Sequence, residues 1–165
     1  MYRRFADKDA LLRAAFLHVL RQSKQANQET LQSLLLCDSL AATARALITL
    51  LFAQYRQHPQ LLRALSRFVD ADPDLEFVRE ARLLIRANLD VVVDVLLRHG
   101  GEIAHAAPEA VLRFAVLNAA CSIEVFALDP NSLWHVAPAM SDVQLADSLV
   151  HAFVACLKTP PAAAL

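Results

Sequence analysis

From Asp74 to His99 the chain carries apolar residues around almost the whole of a helical wheel. Phe77, Val78, Ala81, Leu84, Ile85, Val92 and Val95 share one side, and Leu83, Leu89, Val93, Leu96 and Leu97 spread over the flanks. Only Arg79, Arg82, Arg86, Asp90 and Asp94, spaced by three and four, line up as a polar ridge. At 1.5 Å per residue this is a helix of roughly 39 Å, and a helix so nearly apolar all round belongs at the centre of a bundle. Asp72-Pro73 predicts its start, as a side-chain cap before a first-turn proline. Gly100-Gly101, the only two glycines, predict its stop in a left-handed cap.

The remaining elements read off between breakers in the same way. Asp7 is positioned to cap a helix to about Gln28, with Leu31–Cys37 continuing it after a bend. A second helix spans Asp38–Gln57, with Leu40, Ala44, Leu47, Ile48, Leu51 and Tyr55 at helical spacing. His58-Pro59 breaks it, and Gln60–Val69 is a short helix. Ala107-Pro108-Glu109 opens a helix to about Leu128, and Asp129–Met140 is a loop with the only tryptophan. Ser141 and Gln144 form a capping box ahead of the last helix, Asp142–Leu157. No stretch alternates as a strand does. The expected class is all-α, a bundle of about six to seven helices.

Asn88 departs from this pattern. It lies off the polar ridge, among Leu84, Ile85, Val91, Val92 and Val95. A buried amide without hydrogen bonds costs on the order of 1–3 kcal/mol. Asn88 is therefore either a core residue bridging two helices or a polar group in a cavity wall. Thr43, Asn118, Cys121 and Glu124 are similarly surrounded by apolar helical neighbours. For Glu124 the alternative is a charge that reaches the helix edge or pairs with an arginine.

Composition narrows the reading. The 165 residues are 56% hydrophobic and 20% charged, a balance that predicts surface hidden in an oligomer. The last two long helices offer a place for it. Ala115, Ala119 and Ser122 lie along one face, and Ser148, Ala152 and Cys156 along another, with Phe153 packing beside them. Small residues at such spacing let helix axes approach, so these seven are the expected interface of a four-helix homodimer. The alternative is packing within one chain. Cys37, Cys121 and Cys156 are scattered and odd in number, the pattern of free buried thiols in a reducing compartment. With no apolar run of ~20 residues and no leader-like start, the expected location is the cytoplasm, away from membranes. Net charge is −1, yet residues 1–25 hold six basic side chains against two acidic ones, a balance of +4 on a body of −5.

That basic start carries a motif. Tyr2-Arg3-Arg4-Phe5-Ala6-Asp7-Lys8-Asp9-Ala10-Leu11-Leu12 resembles the end of the DNA-binding domain of tetracycline-repressor-type (TetR family) transcription regulators, where a Tyr-x-x-Phe closes the recognition helix and x-x-Lys-x-x-Leu opens the next. Ala53–Phe68, with its Tyr-Arg-x-His-Pro-x-Leu, the central helix, and Leu145–Leu157 resemble that family's regulatory domain. The resemblance runs over essentially the whole chain. It implies residues 1–12 as a remnant of the DNA-binding domain, residues 13–165 as a ligand-sensing and dimerisation domain, and a bundle dimerising through its last two long helices.

The resemblance also implies roles. Tyr2 and Lys8 match residues that contact DNA phosphates, and Arg3 and Arg4 add charge beside them. Such contacts position without specifying sequence. The family's first two helices and most of the recognition helix would precede Tyr2, so DNA is an expected partner only with those helices restored. A misplaced start, a trimmed chain and a sensor without its reader remain open alternatives. A small, apolar effector is implied in the bundle, with Thr43, Asn88, Asn118, Cys121, Glu124 and Trp134 as its expected pocket.

Catalytic and metal motifs are missing from the sequence. Six histidines form no His-x₃-His pair and no HExxH, the cysteines no Cys-x₂-Cys, and the adjacent glycines no phosphate loop. The expectation is no enzyme, no cofactor and no metal. Two readings follow: a homodimeric, effector-responsive regulator, acting as a repressor, or an all-α homodimeric interaction module with neither effector nor DNA.

Overall fold

A computed structural model describes residues 7–57, 59–60, 62–63, 75–128 and 140–159, with backbone alone at 23–33, 75 and 127–128. The described residues are all-helical, without strands. Five α-helices are present among them, against the six to seven expected: α1 (Lys8–Leu35), α2 (Leu40–Gln57), α3 (Leu75–Leu97), α4 (Pro108–Ile123) and α5 (Asp142–Lys158). A 3-10 turn (Gly100–Glu102) joins α3 to α4, and a π-helical turn (Glu124–Leu128) extends α4. Pro59, Gln60, Leu62 and Arg63 are helical, and the rest of the short helix expected there lies outside the described residues, as does the Asp72-Pro73 cap.

Polar side chains set the helix starts. Asp7 accepts from the Ala10 amide at 2.7 Å, the first-turn cap of α1. Ser39 caps α2 by accepting from the Ala42 amide at 3.2 Å. Pro108 stands at the first position of α4, where its missing N–H costs nothing. Ser141 and Gln144 close the expected capping box. Two boundaries differ from expectation. α1 runs unbroken through Gln28, because residues 22–30, polar except for Ala26, contain neither glycine nor proline. Gly100 and Gly101 adopt no left-handed conformation; the chain tightens there into the 3-10 turn instead.

Cross-helix pairs fix the directions. Phe16 meets Phe77 edge-on with centroids 6.0 Å apart, Arg21 meets Glu80, and an Arg98 guanidinium N–H donates to the Leu35 carbonyl at 3.2 Å, so α1 and α3 run parallel. Arg45–Asp147 and Arg56–Asp142 make α2 and α5 antiparallel. Arg113 of α4 bridges Asp90 of α3 at 2.6 Å across their antiparallel pair.

Two apolar clusters result. The larger joins Leu40, Ala44, Leu47, Ile48 and Phe52 of α2 to Val92, Val93 and Leu96 of α3, to Leu112, Ala115, Val116, Ala119 and Ile123 of α4, and to Val150, Phe153 and Leu157 of α5. The smaller is Phe16, Phe77 and Ala81, backed by Leu17, Leu20, Leu62 and Val78. Each large side chain enclosed in this way contributes about 1.5–3 kcal/mol of transfer free energy. Asn88 falls on the same α3 stripe as Phe77, Ala81, Val92 and Val95, between the part that enters one cluster and the part that enters the other.

Candidate functional site

At this seam Asn88 is half-buried, and its amide oxygen is enclosed with no hydrogen-bond partner among the described residues. An amide oxygen withdrawn from water and left unpaired is destabilising, so it stands ready for a donor that enters the bundle.

The upper ends of α2 and α4 bring three further groups together. Burial pushes the Tyr55 phenol up to about 12, and the nearby Glu124 and Cys121 add to the shift. Burial also raises the Glu124 carboxyl above its usual range. Glu124 begins the π-helical turn, a distortion that recurs at functional sites in helices because it turns a side chain out of register. A half-buried carboxylate beside a half-buried phenol suits hydrogen-bond donors or a cation.

The other expected pocket residues do not converge on Asn88. Thr43 is 1% exposed and fully engaged: its hydroxyl donates to the Ser39 carbonyl at 3.0 Å and meets His99 Nε2 at 2.9 Å. It lies twelve residues from Tyr55 along α2, about 18 Å of helix, so it pins the opposite end of the bundle. Asn118 and Cys121 are exposed on the outer face of α4. All three thiols are free as expected, but none is fully buried: Cys121 is exposed, and Cys37 and Cys156 are half-buried. Trp134 lies outside the described residues, as do Tyr2, Arg3 and Arg4. Lys8 is exposed in the first turn of α1.

The joint around Thr43 was invisible in the sequence. Glu102, on the 3-10 turn, accepts from the Leu40 amide at 2.8 Å and pairs with Lys158 at 3.1 Å. These hydrogen bonds, the Leu40 amide first, hold its carboxyl below the ordinary range. His99 Nδ1 faces Glu102 at 3.7 Å, beyond hydrogen-bond length. The Ala104 amide donates to the Leu157 carbonyl at 2.9 Å, and His105 Nε2 donates to the Cys156 carbonyl at 2.8 Å. One short turn thus ties α2, α3 and α5 together and satisfies the last carbonyls of α5.

The expected dimer residues divide. Ala115, Ala119 and Phe153 are buried in the core of a single chain and have no surface left for a second one. Their small size serves close packing of α4 within the monomer. Ser148 and Ala152 are exposed, and Ser122 and Cys156 are half-buried. Ser122 and Ser148 turn their hydroxyls back onto the carbonyls of Asn118 and Gln144, both at 2.8 Å, which leaves their outer surfaces less polar. The apolar side chains that α4 does present outward are Phe114, 62% exposed, and Leu117, 45% exposed.

A cleft of about 260 Å³ opens on α3 between Val78, Arg79, Arg82, Leu83 and Arg86, away from Asn88. Among the described residues no three His, Cys, Asp or Glu side chains gather as a metal site, and no helix is long and apolar enough to cross a membrane. Compared with protein-family models, curated proteins and solved structures, the chain finds no match.

Proposed function

We propose that this chain is the effector-sensing, homodimeric part of a transcription regulator of the TetR type, acting as a repressor. The unpaired amide oxygen of Asn88 carries the reading, because it supplies a polar anchor at the seam between the two apolar clusters. The resemblance of residues 2–12 to the family's junction between DNA-binding and regulatory domains supports it from the sequence side. The effector is a small, mainly apolar molecule with at least one hydrogen-bond donor for Asn88. Binding biases the bundle toward one arrangement, and α1 carries the change toward its Lys8 end. Where DNA is bound, reading helices ahead of the Tyr2–Phe5 motif enter the major groove while Tyr2, Arg3, Arg4 and Lys8 meet phosphates.

Thermal denaturation against a panel of apolar donors tests this, since a ligand of the native state raises the melting temperature by mass action. Asn88→Leu is expected to fold and to lose the shift. A ligand that stabilises both proteins equally removes Asn88 from the reading.

The exposed Phe114 and Leu117 also fit a second reading, an interaction module that dimerises without effector. In either reading the partner copy covers the outer faces of α4 and α5, with Asn118, Cys121, Ser148 and Ala152 around the two apolar side chains. Sedimentation of the wild type and of Phe114→Glu at micromolar concentration decides this: a wild-type monomer sinks the dimer, and a dimeric variant sinks the assignment of the face.

A further inference from the structure

Most arginines among the described residues have a partner. Arg21, Arg45, Arg56 and Arg113 each hold a carboxylate on another helix. Arg79, Arg82 and Arg86 hold none among the described residues, although they lie on one face of α3 and are all exposed. Two nearby carboxylates of α3 are drawn elsewhere: Glu80 to Arg21 of α1, and Asp90, one turn beyond Arg86, to Arg113 of α4. Like charges three and four residues apart repel along a helix, so this ladder gains from an anion supplied from outside.

The surrounding surface narrows the choice of anion. Arg82 stands three residues from Arg79 and four from Arg86, with Cβ atoms about 5–6 Å apart, so three long side chains reach one point. Between them lies the cleft of about 260 Å³, whose remaining lining is the half-buried Val78 and the 62% exposed Leu83. That space is a little below the ~300–1,000 Å³ of drug-sized pockets, enough for a headgroup and a short hydrocarbon stretch. Guanidinium forks match phosphate oxygens bidentately, and a phosphomonoester carries about −1.5 to −2 at neutral pH, closer to three arginines than a carboxylate.

We propose that Arg79, Arg82 and Arg86 form a binding site for a phosphomonoester that carries an apolar chain, with Val78 and Leu83 against the chain. This site goes beyond the effector reading and stands apart from it. At 100° per residue, Arg79 and Arg86 are about 160–180° around α3 from Asn88.

Titration with n-octyl phosphate and with inorganic phosphate, read by calorimetry, tests the proposal. Octyl phosphate binds saturably and at least about tenfold more tightly than inorganic phosphate, and Arg82→Gln weakens it by about tenfold or more, one lost charge-assisted contact. Arg45→Gln and Asn88→Leu leave it unchanged, which separates this site from the effector pocket. Arg82→Gln exchanges one exposed helix former for another, and an unaltered melting temperature confirms its fold. Flotation with phosphatidylcholine vesicles containing phosphatidate distinguishes the source. Flotation that Arg82→Gln abolishes assigns a lipid headgroup, and soluble binding without flotation assigns a free phosphomonoester; both uphold the site. Equal binding by wild type and Arg82→Gln, no preference for the alkyl chain, or no binding in either arm overturns it.

Discussion

Thr43 Oγ1 lies 2.9 Å from His99 Nε2 and spends its own proton on the Ser39 carbonyl. The hydroxyl therefore accepts, and His99 carries its proton on Nε2. Thr43→Val keeps the volume and removes the acceptor, leaving an enclosed imidazole N–H unpaired. It is expected to cost about 1–3 kcal/mol in urea denaturation, whereas Thr43→Ser retains the bond and costs less. Nitrogen NMR of His99 checks the tautomer directly.

Glu102 makes this joint sensitive to acid. Its folded-state carboxyl titrates below the ordinary range because the Leu40 amide and Lys158 favour the charged form. Its contribution is present above the ordinary glutamate pKa of ~4.3 and is lost as pH falls through the lower folded value. Glu102→Gln is expected to melt earlier than wild type at pH 7 and to approach it in strong acid. Parallel melting curves from pH 7 to pH 2 would show no Glu102 linkage.

Glu124 and Tyr55 have the opposite sign. Raised carboxyl and phenol pKa values mean stability that is present below the unfolded pKa and lost as pH rises through the folded one. Glu124→Gln is expected to stabilise at pH 7 and to lose that advantage below about pH 4. Ultraviolet titration should place Tyr55 ionisation at about 12, and Tyr55→Phe should remove that step. An ordinary phenol titration near 10 would mean that the top of the bundle is open to water.

Asn88→Leu replaces an amide whose enclosed oxygen is unpaired with an apolar side chain of similar size. The denaturant midpoint is expected to rise, by about 1–3 kcal/mol in stability, with the denaturant slope unchanged. A fall in midpoint would show that Asn88 makes a native interaction which its amide oxygen does not reveal.

Residues whose neighbours lie within a turn or two were legible in the sequence. Asp7, Pro108 and the Ser141–Gln144 pair cap the helices expected of them, and local periodicity alone puts Asn88 among apolar residues. The unbroken α1 was harder, because residues 22–30 carry no apolar stripe to show the helix continuing. The apolar surroundings of Thr43 were legible but its partner was not: His99 is 56 positions away and is brought to it by the packing of α2 on α3. The two sides of α4 posed a different difficulty. Both are apolar, so periodicity does not say whether Ala115 and Ala119, or Phe114 and Leu117, face the chain's own core. Which side meets α2 and α5 is decided by tertiary packing.

The continuity of α1 has a mechanical consequence. Its 28 residues make a rod of about 42 Å, held at its Leu35 end by Arg98 and partway along by Phe77 and Glu80 of α3. A bend near Gln28 would absorb a small tilt locally, whereas a straight rod transmits it with gain. Pivoting by about 5° around the Leu35 end would carry the Lys8 end through roughly 3–4 Å and slide Phe16 and Arg21 across Phe77 and Glu80 by a little less. The contacts with α3 thus set how far a movement at one end of α1 reaches the other.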